Sequence, residues 1–166
     1  TNTSNIATST INVLAVNDAP VSGSGAGNVS EEGLANGLID SSGTSDTTNL
    51  TKVSGVIAIS DVDSASVTVS LTAPITPVLT ATGQTVSWTS DGSGGLIGQA
   101  GSTLVATATI NNTGNYTFEL LAPLKHSAQG EDVLNLVFGV SANDGQTTST
   151  NTLTIREHNA QVEEEQ

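Results

Sequence analysis

The sequence predicts an all-β sandwich of about seven to nine antiparallel strands. Hydrophobic residues make up 36% of the chain but aromatic residues only 2%, so Val, Ile, Leu, Ala and Thr must fill the interior. Branching at Cβ stiffens several of these side chains and favours the pleated surface of a sheet. Apolar residues recur at every second position, and no ten-residue segment shows helical spacing. Clusters of Gly, Asn and Asp separate the alternating segments and indicate turns.

Each predicted strand rests on its own alternating segment. In chain order these segments are Val53–Ile59, Val67–Leu71, Val86–Trp88, Leu104–Ile110, Tyr116–Leu120, Leu134–Ala142 and the segment that contains Leu153 and Ile155. The turn signals are Asp63-Ser64, Asp91–Gly95, Asn111–Gly114 and Asn143–Gly145. Residues 33–51 are rich in Gly, Ser, Thr and Asn without alternation, which predicts a long loop. Many short strands with such turns are typical of a two-sheet, immunoglobulin-like sandwich.

The two ends of the chain are similar to each other. Each contains an alternating segment that stops at an Asn. The matched pairs, 142 positions apart, are Ile11 with Leu153, Val13 with Ile155, and Asn17 with Asn159. We interpret both segments as the last strand of a domain followed by its exit linker. Residues 1–19 are then the last strand and linker of a preceding module, 20–158 the domain, and 159–166 an exit linker with an acidic tail. Two alternatives stay open: chance similarity, or a first strand that belongs to this domain.

The charge of the chain excludes several classes of partner. The chain contains sixteen Asp and Glu residues but only three Lys and Arg residues, which gives a net charge of −13. This charge repels nucleic acid and anionic membranes, and no Lys/Arg cluster offsets it. Self-repulsion on this scale is relieved by a bound divalent cation, although halophilic solvation or simple solubility also explain an acidic surface.

Other absences from the sequence narrow the function further. The chain has no Cys, which excludes thiolate zinc sites, iron–sulfur clusters and thiol catalysis. It has no apolar run of the ~20 residues that span a membrane and no basic signal-peptide region. We therefore expect a segment of a longer secreted polypeptide, without membrane insertion.

No Gly-x-Ser-x-Gly motif or Ser/His pairing is present, so we expect no enzyme activity. His126 and His158 lack a ligand-spaced partner and are expected to be structural or exposed.

The acidic residues are concentrated near the ends of predicted strands. They form the groups Asn17-Asp18, Glu31-Glu32, Asp61-Val62-Asp63, Glu131-Asp132 and Asn143-Asp144. Calcium takes six to eight oxygen ligands, and strand ends at one pole of a sandwich converge in space. One calcium site between neighbouring modules could therefore be formed by three of these groups, namely Asn17-Asp18 in the linker, Glu31-Glu32 and Asp61-Val62-Asp63. Local hydrogen bonding in turns also favours Asp. The Asp61 segment is not an EF-hand loop, because Ala65 and Ser66 stand where an oxygen ligand and Gly are needed.

Several segments resemble known bacterial adhesin repeats. The linker Val16-Asn17-Asp18-Ala19-Pro20-Val21 is similar to the inter-repeat linkers of cadherin-like and immunoglobulin-like adhesin modules, and to the calcium-holding linkers of cadherins. Further segments resemble the long tandem repeat of giant type I secreted (RTX) adhesins. They are Val29–Leu34, Ile59–Asp63, Gly114–Leu121 with Pro123–His126 and Gly130–Asp132, and Leu134–Gly145. The likeness covers most of residues 16–157.

The resemblance implies a calcium-rigidified, cadherin-like module. Its implied Ca2+ ligands are Glu32, Asp61 and Asp63, with Asn17 and Asp18 on the linker side and Asp144 at the opposite end of the longest strand. Glu31, from the Glu-Glu step, completes the predicted metal ligands. The exit linker lacks the Asp and Pro after Asn159, so the better-formed junction site is expected at the N-terminal end.

The implied function is a structural extender on the bacterial cell surface, spacing an adhesive tip from the cell. Its partners would be neighbouring tandem modules of the same polypeptide, and the module itself would be monomeric. The alternative is an adhesive module that binds a glycan or peptide through residues 33–51 or the Gly-rich segment 91–101.

Overall fold

The computed structural model describes residues 1–37, 48–128 and 132–159. Within these ranges the chain forms eleven strands and a single 3₁₀ turn, Glu31–Gly33. The strands are β1 (Val21–Ser22), β2 (Gly25–Ser30), β3 (Lys52–Val56), β4 (Ile59–Ser60), β5 (Thr68–Thr72), β6 (Ser87–Ser90), β7 (Leu96–Ala100), β8 (Thr103–Ile110), β9 (Asn115–Leu120), β10 (Val133–Asn143) and β11 (Thr148–His158). The predicted all-β class is confirmed.

Two main sheets form the predicted sandwich. One has the order β2-β11-β10-β5, the other the order β3-β9-β8-β7-β6, and β1 pairs with β4 beside them. The pairing differs from the all-antiparallel prediction in one place, because β2 runs parallel to β11. A tight hairpin forces two consecutive strands to run antiparallel, but β2 and β11 are far apart in sequence and are not joined by one. β2 can therefore pair with the edge of β11 in the parallel direction.

The core lies between the two main sheets. Alternate residues of the central strands point inward and are fully buried, among them Phe118, Leu120, Phe138 and Leu153. The rings of Trp88 on β6 and Phe138 on β10 pack edge to face, with ring centroids 5.1 Å apart and planes at 90°. Burial of each such side chain contributes roughly 1.5–3 kcal/mol, and edge-to-face ring contacts add to it. Few aromatic residues are therefore enough to join the two sheets.

The strand predictions differ from the structure in several segments. Sequence patterns missed the two-residue β1, and also β2 and β7, which both contain Gly. The single strand predicted over Val53–Ile59 is divided into β3 and β4. Conversely, the alternating segment within residues 10–16 forms no strand here. Its apolar side chains are more than four-fifths exposed, as in Ile11 (83%) and Val13 (87%). Alternation indicates that a segment could form a strand, but a strand also needs a neighbouring strand to pair with. Within the described residues, no strand pairs with residues 10–16. Its assignment to a preceding module stays a prediction.

Some predicted features lie outside the described residues. These are residues 38–47 of the predicted long loop, Glu131, and residues 160–166 of the exit linker and acidic tail. The flanking loop residues 34–37 and 48–51 contain no strand. None of the described segments is a helix of the length and hydrophobicity that a membrane span requires.

Candidate functional site

The predicted linker residues fold back onto one end of the sandwich. We call this end the linker pole and define it by Asn17, Asp18, Asp61, Asp63 and Asp144. The Asn17 side-chain amide donates hydrogen bonds of 2.8 Å to Asp144 Oδ2 and 3.2 Å to Thr147 Oγ1. The backbone N–H of Asp18 donates to Asp63 Oδ2 at 3.0 Å. Two carboxylates distant from each other in sequence therefore hold the linker against the domain.

Asp144 organises the turn between β10 and β11. Its carboxylate accepts hydrogen bonds from the backbone N–H groups of Gln146 and Thr147, both at 2.7 Å. The Gln146 side chain in turn donates to Asn17 Oδ1 at 2.8 Å. Hydrogen bonds from the Thr147 backbone, the Asn17 side chain and the Gln146 backbone hold the pKa of Asp144 far below its usual value. The carboxylate is therefore ionised at every ordinary pH.

Asp61 supplies the one orphaned oxygen of the linker pole. Its Oδ1 accepts from the backbone N–H groups of Asp63 and Ser64, at 3.1 and 3.0 Å, as in a turn. Its Oδ2 is buried and has no hydrogen-bond partner. A buried carboxylate oxygen without a partner costs free energy. The pole offers carboxylate and amide oxygens, which belong to the hard ligand type that calcium prefers.

The structure does not bring all seven predicted ligands together. Glu31 and Glu32 follow Ser30, which pairs with His158 at the far end of β11, whereas Asp144 lies beside Thr148 at its start. Eleven residues of β11 separate the two groups, or about 35 Å of extended chain. The Glu-Glu step and the linker therefore belong to opposite ends of the domain and do not form one site.

A second cluster surrounds Glu31 at that far end. We call Glu31, His126 and Glu157 the Glu–His–Glu cluster. Each offers one ligand atom, and the three atoms lie within 4.8 Å of one another. His126 Nε2 lies 2.7 Å from Glu157 Oε2 and 3.8 Å from Glu31 Oε1. Among the described residues, this is the only group of three His, Cys, Asp or Glu with such convergence.

Local structure fixes each side chain of this cluster. Ser30 caps the 3₁₀ turn by accepting a hydrogen bond from the Glu32 backbone, which places Glu31 on the inside. The backbone N–H of Leu124 donates to Glu31 Oε1 at 2.6 Å. Glu157 points inward from β11 and is fully buried. The segment after β9 carries the His126 ring between them.

Burial and charge perturb the protonation of the Glu–His–Glu cluster. Burial, followed by the negative charge of Glu157, raises the pKa of Glu31 to about 7. Burial likewise raises the pKa of Glu157, with His126 opposing the shift. For His126, burial lowers the pKa, but the hydrogen bond and charge of Glu157 and the charges of Glu31 and Asp132 outweigh it, so the net pKa is raised. The cluster is therefore an electrostatically coupled, buried unit.

Sequence reasoning missed two members of this cluster. His126 was expected to be structural or exposed; its side chain is 3% exposed and lies between two glutamates, so it is buried rather than exposed. Glu157 stands within the last alternating segment and was not among the predicted ligands. The sequence did indicate its position, because Leu153, Ile155 and Glu157 share one face of the strand and alternation therefore places this carboxylate in the core.

The Gly-rich segment 91–101, the alternative binding surface, is a turn followed by a strand. Residues Leu96–Ala100 form β7, a central strand of the five-stranded sheet, and only a hairpin turn remains around Asp91–Gly95. Asp91 Oδ1 closes that turn by accepting from the backbone of Ser93 and Gly95. The side chain is thus engaged within its own turn.

Comparison with known protein families, curated proteins and solved structures found no match to this chain. Two features of the structure bear on function, the linker pole at one end of the sandwich and the Glu–His–Glu cluster at the other.

Proposed function

We propose that this chain is a calcium-binding structural extender module of a large bacterial surface adhesin, which spaces the adhesive tip from the cell. The observation that carries the proposal is the docking of Asn17 and Asp18 onto the carboxylates of Asp144 and Asp63. A linker held by the domain that follows it cannot swing freely. Tandem modules joined in this way form a rod.

Calcium at the linker pole would strengthen this junction. The ion would be held by oxygens of Asn17, Asp18, Asp61, Asp63 and Asp144. It would supply the partner that the buried Asp61 Oδ2 lacks, and it would offset part of the net charge of −13. An ion that binds only the folded state adds RT ln(1 + [L]/Kd) to its stability, about 2.7 kcal/mol at a hundredfold excess over Kd.

The first test is thermal denaturation in calcium and in EGTA at matched ionic strength. We expect calcium to raise the midpoint, and Asp63→Asn to remove most of that rise. Glu119→Gln is the matched control, because Glu119 is a surface carboxylate on β9 that pairs only with exposed Lys52 at 3.5 Å. The proposal fails if calcium leaves the wild-type midpoint unchanged, or if both variants lose the same part of the rise.

The rod itself is tested with two tandem copies of residues 1–159. Small-angle scattering should show a longer maximum dimension in calcium than in EGTA, and Asp63→Asn in the second copy should abolish the difference. Equal dimensions in calcium and EGTA for the unmutated pair would contradict a calcium-stiffened junction.

A further inference from the structure

The Glu–His–Glu cluster contains buried polar atoms that its own members do not satisfy. His126 Nε2 lies 2.7 Å from Glu157 Oε2, close enough for a hydrogen bond. Glu157 is nevertheless 0% exposed, and its Oε1 has no hydrogen-bond partner. His126 Nδ1 is also buried without one. The three side chains therefore converge around a buried carboxylate oxygen that no protein group satisfies.

We propose that Glu31, His126 and Glu157 bind a divalent transition-metal ion of the zinc class, as a structural site separate from the linker pole. The proposal goes beyond the extender function and does not depend on it. The ion would join three segments of the chain: the 3₁₀ turn after β2, the segment between β9 and β10, and the end of β11.

A divalent cation would balance the charge of the cluster. Two ionised glutamates and a neutral imidazole sum to −2, which a divalent ion neutralises in full. An imidazolium neutralises one of the two carboxylates, and the other is then neutral only if it takes up a proton. Buried charge without compensation is destabilising. A divalent ion would satisfy both carboxylates in their ionised form.

The donor set selects the class of metal. Imidazole is a ligand of zinc, copper, iron and nickel, whereas calcium and magnesium take oxygen ligands. One imidazole and two carboxylates would supply three of the four ligands of a tetrahedral zinc ion, and water would fill the fourth position. Asp132 Oδ2 lies 3.7 Å from His126 Nδ1, an ion-pair distance without a hydrogen bond. Its negative charge favours a proton on Nδ1, which would leave Nε2 as the metal-binding nitrogen.

Two surface cavities adjoin the cluster. A cavity of about 230 Å³ is lined by Glu31 together with Leu34, Asn36 and Pro123. A second cavity, of about 240 Å³, is lined by His126 and Asp132. Two of the three proposed ligands therefore border a cavity, whereas Glu157 is fully buried behind them.

The test uses Zn2+ alone as probe on the full chain, with calcium present throughout to saturate oxygen-only sites. Calorimetric titration at pH 7.5 should show one zinc ion per chain, and zinc should raise the thermal midpoint. Co2+ should give the visible absorption of a four-coordinate site with nitrogen and oxygen ligands. His126→Gln and Glu157→Gln should each weaken zinc affinity at least tenfold.

The matched control is His158→Gln, which removes the second of the two histidines in the chain. It should leave zinc affinity within twofold of wild type, as should Asp63→Asn at the linker pole. Absence of zinc binding by the wild type would overturn the proposal, as would equal losses in His126→Gln and His158→Gln. Glu157→Gln keeps the volume of the buried side chain while it removes the charge, so it tests the site even if His126→Gln does not fold. Because the zinc and calcium tests use variants at opposite ends, either proposal can fail without the other.

Discussion

Single residues hold the two sheets at their observed spacing. Tyr116 on β9 pairs with Gly55 on β3, and the absence of a side chain at Gly55 leaves room for the Tyr116 ring. The Tyr116 hydroxyl crosses to the other sheet and donates a 2.8 Å hydrogen bond to the carbonyl of Ala26 on β2. Burial raises the pKa of the Tyr116 hydroxyl, which favours the protonated, donating form. One phenol thus supplies both packing area and an inter-sheet hydrogen bond.

Gly114 shows how a turn depends on one residue. It has φ of +81°, and its carbonyl accepts a 2.8 Å hydrogen bond from the Ile57 backbone N–H. A Cβ at this position would collide with the carbonyl oxygen of Ile57, which is backbone and cannot rotate away. Gly83 has a similar φ of +87°, but a Cβ there would meet nothing within 4 Å.

We expect Gly114→Ala to lower the free energy of unfolding well beyond Gly83→Ala. Both substitutions carry the left-handed strain of roughly 1–2 kcal/mol, but only Gly114→Ala adds a backbone clash. Urea denaturation of the two variants measures the difference directly. Equal losses would show that the segment around Gly114 relaxes freely, contrary to the contacts described here.

At the scale of elements, alternation predicted strands whose own sequence carries the apolar face. β9 and β10 present inward-facing residues at every second position, and the predicted ranges of β8, β9 and β10 agree with the structure within two residues. In β8 the predicted alternation fails at the start, because Leu104 is 41% exposed whereas Val105 and Ala106 are both buried. β7 was missed because Gly94, Gly95 and Gly98 gave its segment the composition of a turn. Its strand character comes from neighbours on both sides, which the local sequence does not contain.

Gly98 within β7 accommodates the Trp88 ring of the adjacent strand. The two residues are paired, and a Cβ on Gly98 would lie 2.8 Å from the Trp88 ring. Gly98→Ala should therefore displace the ring from Phe138 and cost about 1–3 kcal/mol, as overpacking does. Trp88 is the only tryptophan, so its fluorescence should shift to longer wavelength as the ring becomes more hydrated. Gln99→Ala, at the exposed neighbouring position, should change neither quantity. An unshifted spectrum in Gly98→Ala would contradict this packing.

At the scale of the whole molecule, acidic residues occupy both ends of the sandwich. The sequence indicated that carboxylates lie at strand ends, but it did not indicate which end each occupies. That assignment depends on the parallel pairing of β2 with β11, which carries Glu31 away from the linker pole. It also depends on the inward direction of Glu157 and on the fold of the segment that carries His126. Convergence of residues from separate segments is a property of topology, and local patterns do not encode it.

The linker and the residues before it differ sharply in their contacts with the domain. The preceding apolar residues are exposed, including Leu14 at 86% and Val16 at 82%, whereas Asn17 and Asp18 of the linker are hydrogen-bonded to the domain. Removal of residues 1–16 should therefore leave the thermal midpoint and its response to calcium unchanged. Removal of residues 1–18 should reduce the calcium response, since it deletes two of the proposed ligands and frees Asp63 and Asp144. Calorimetry of the two truncated chains in calcium and in EGTA makes the comparison. A calcium response that survives removal of residues 1–18 would show that the linker takes no part in the site, and the stiffened junction would then lose its physical basis.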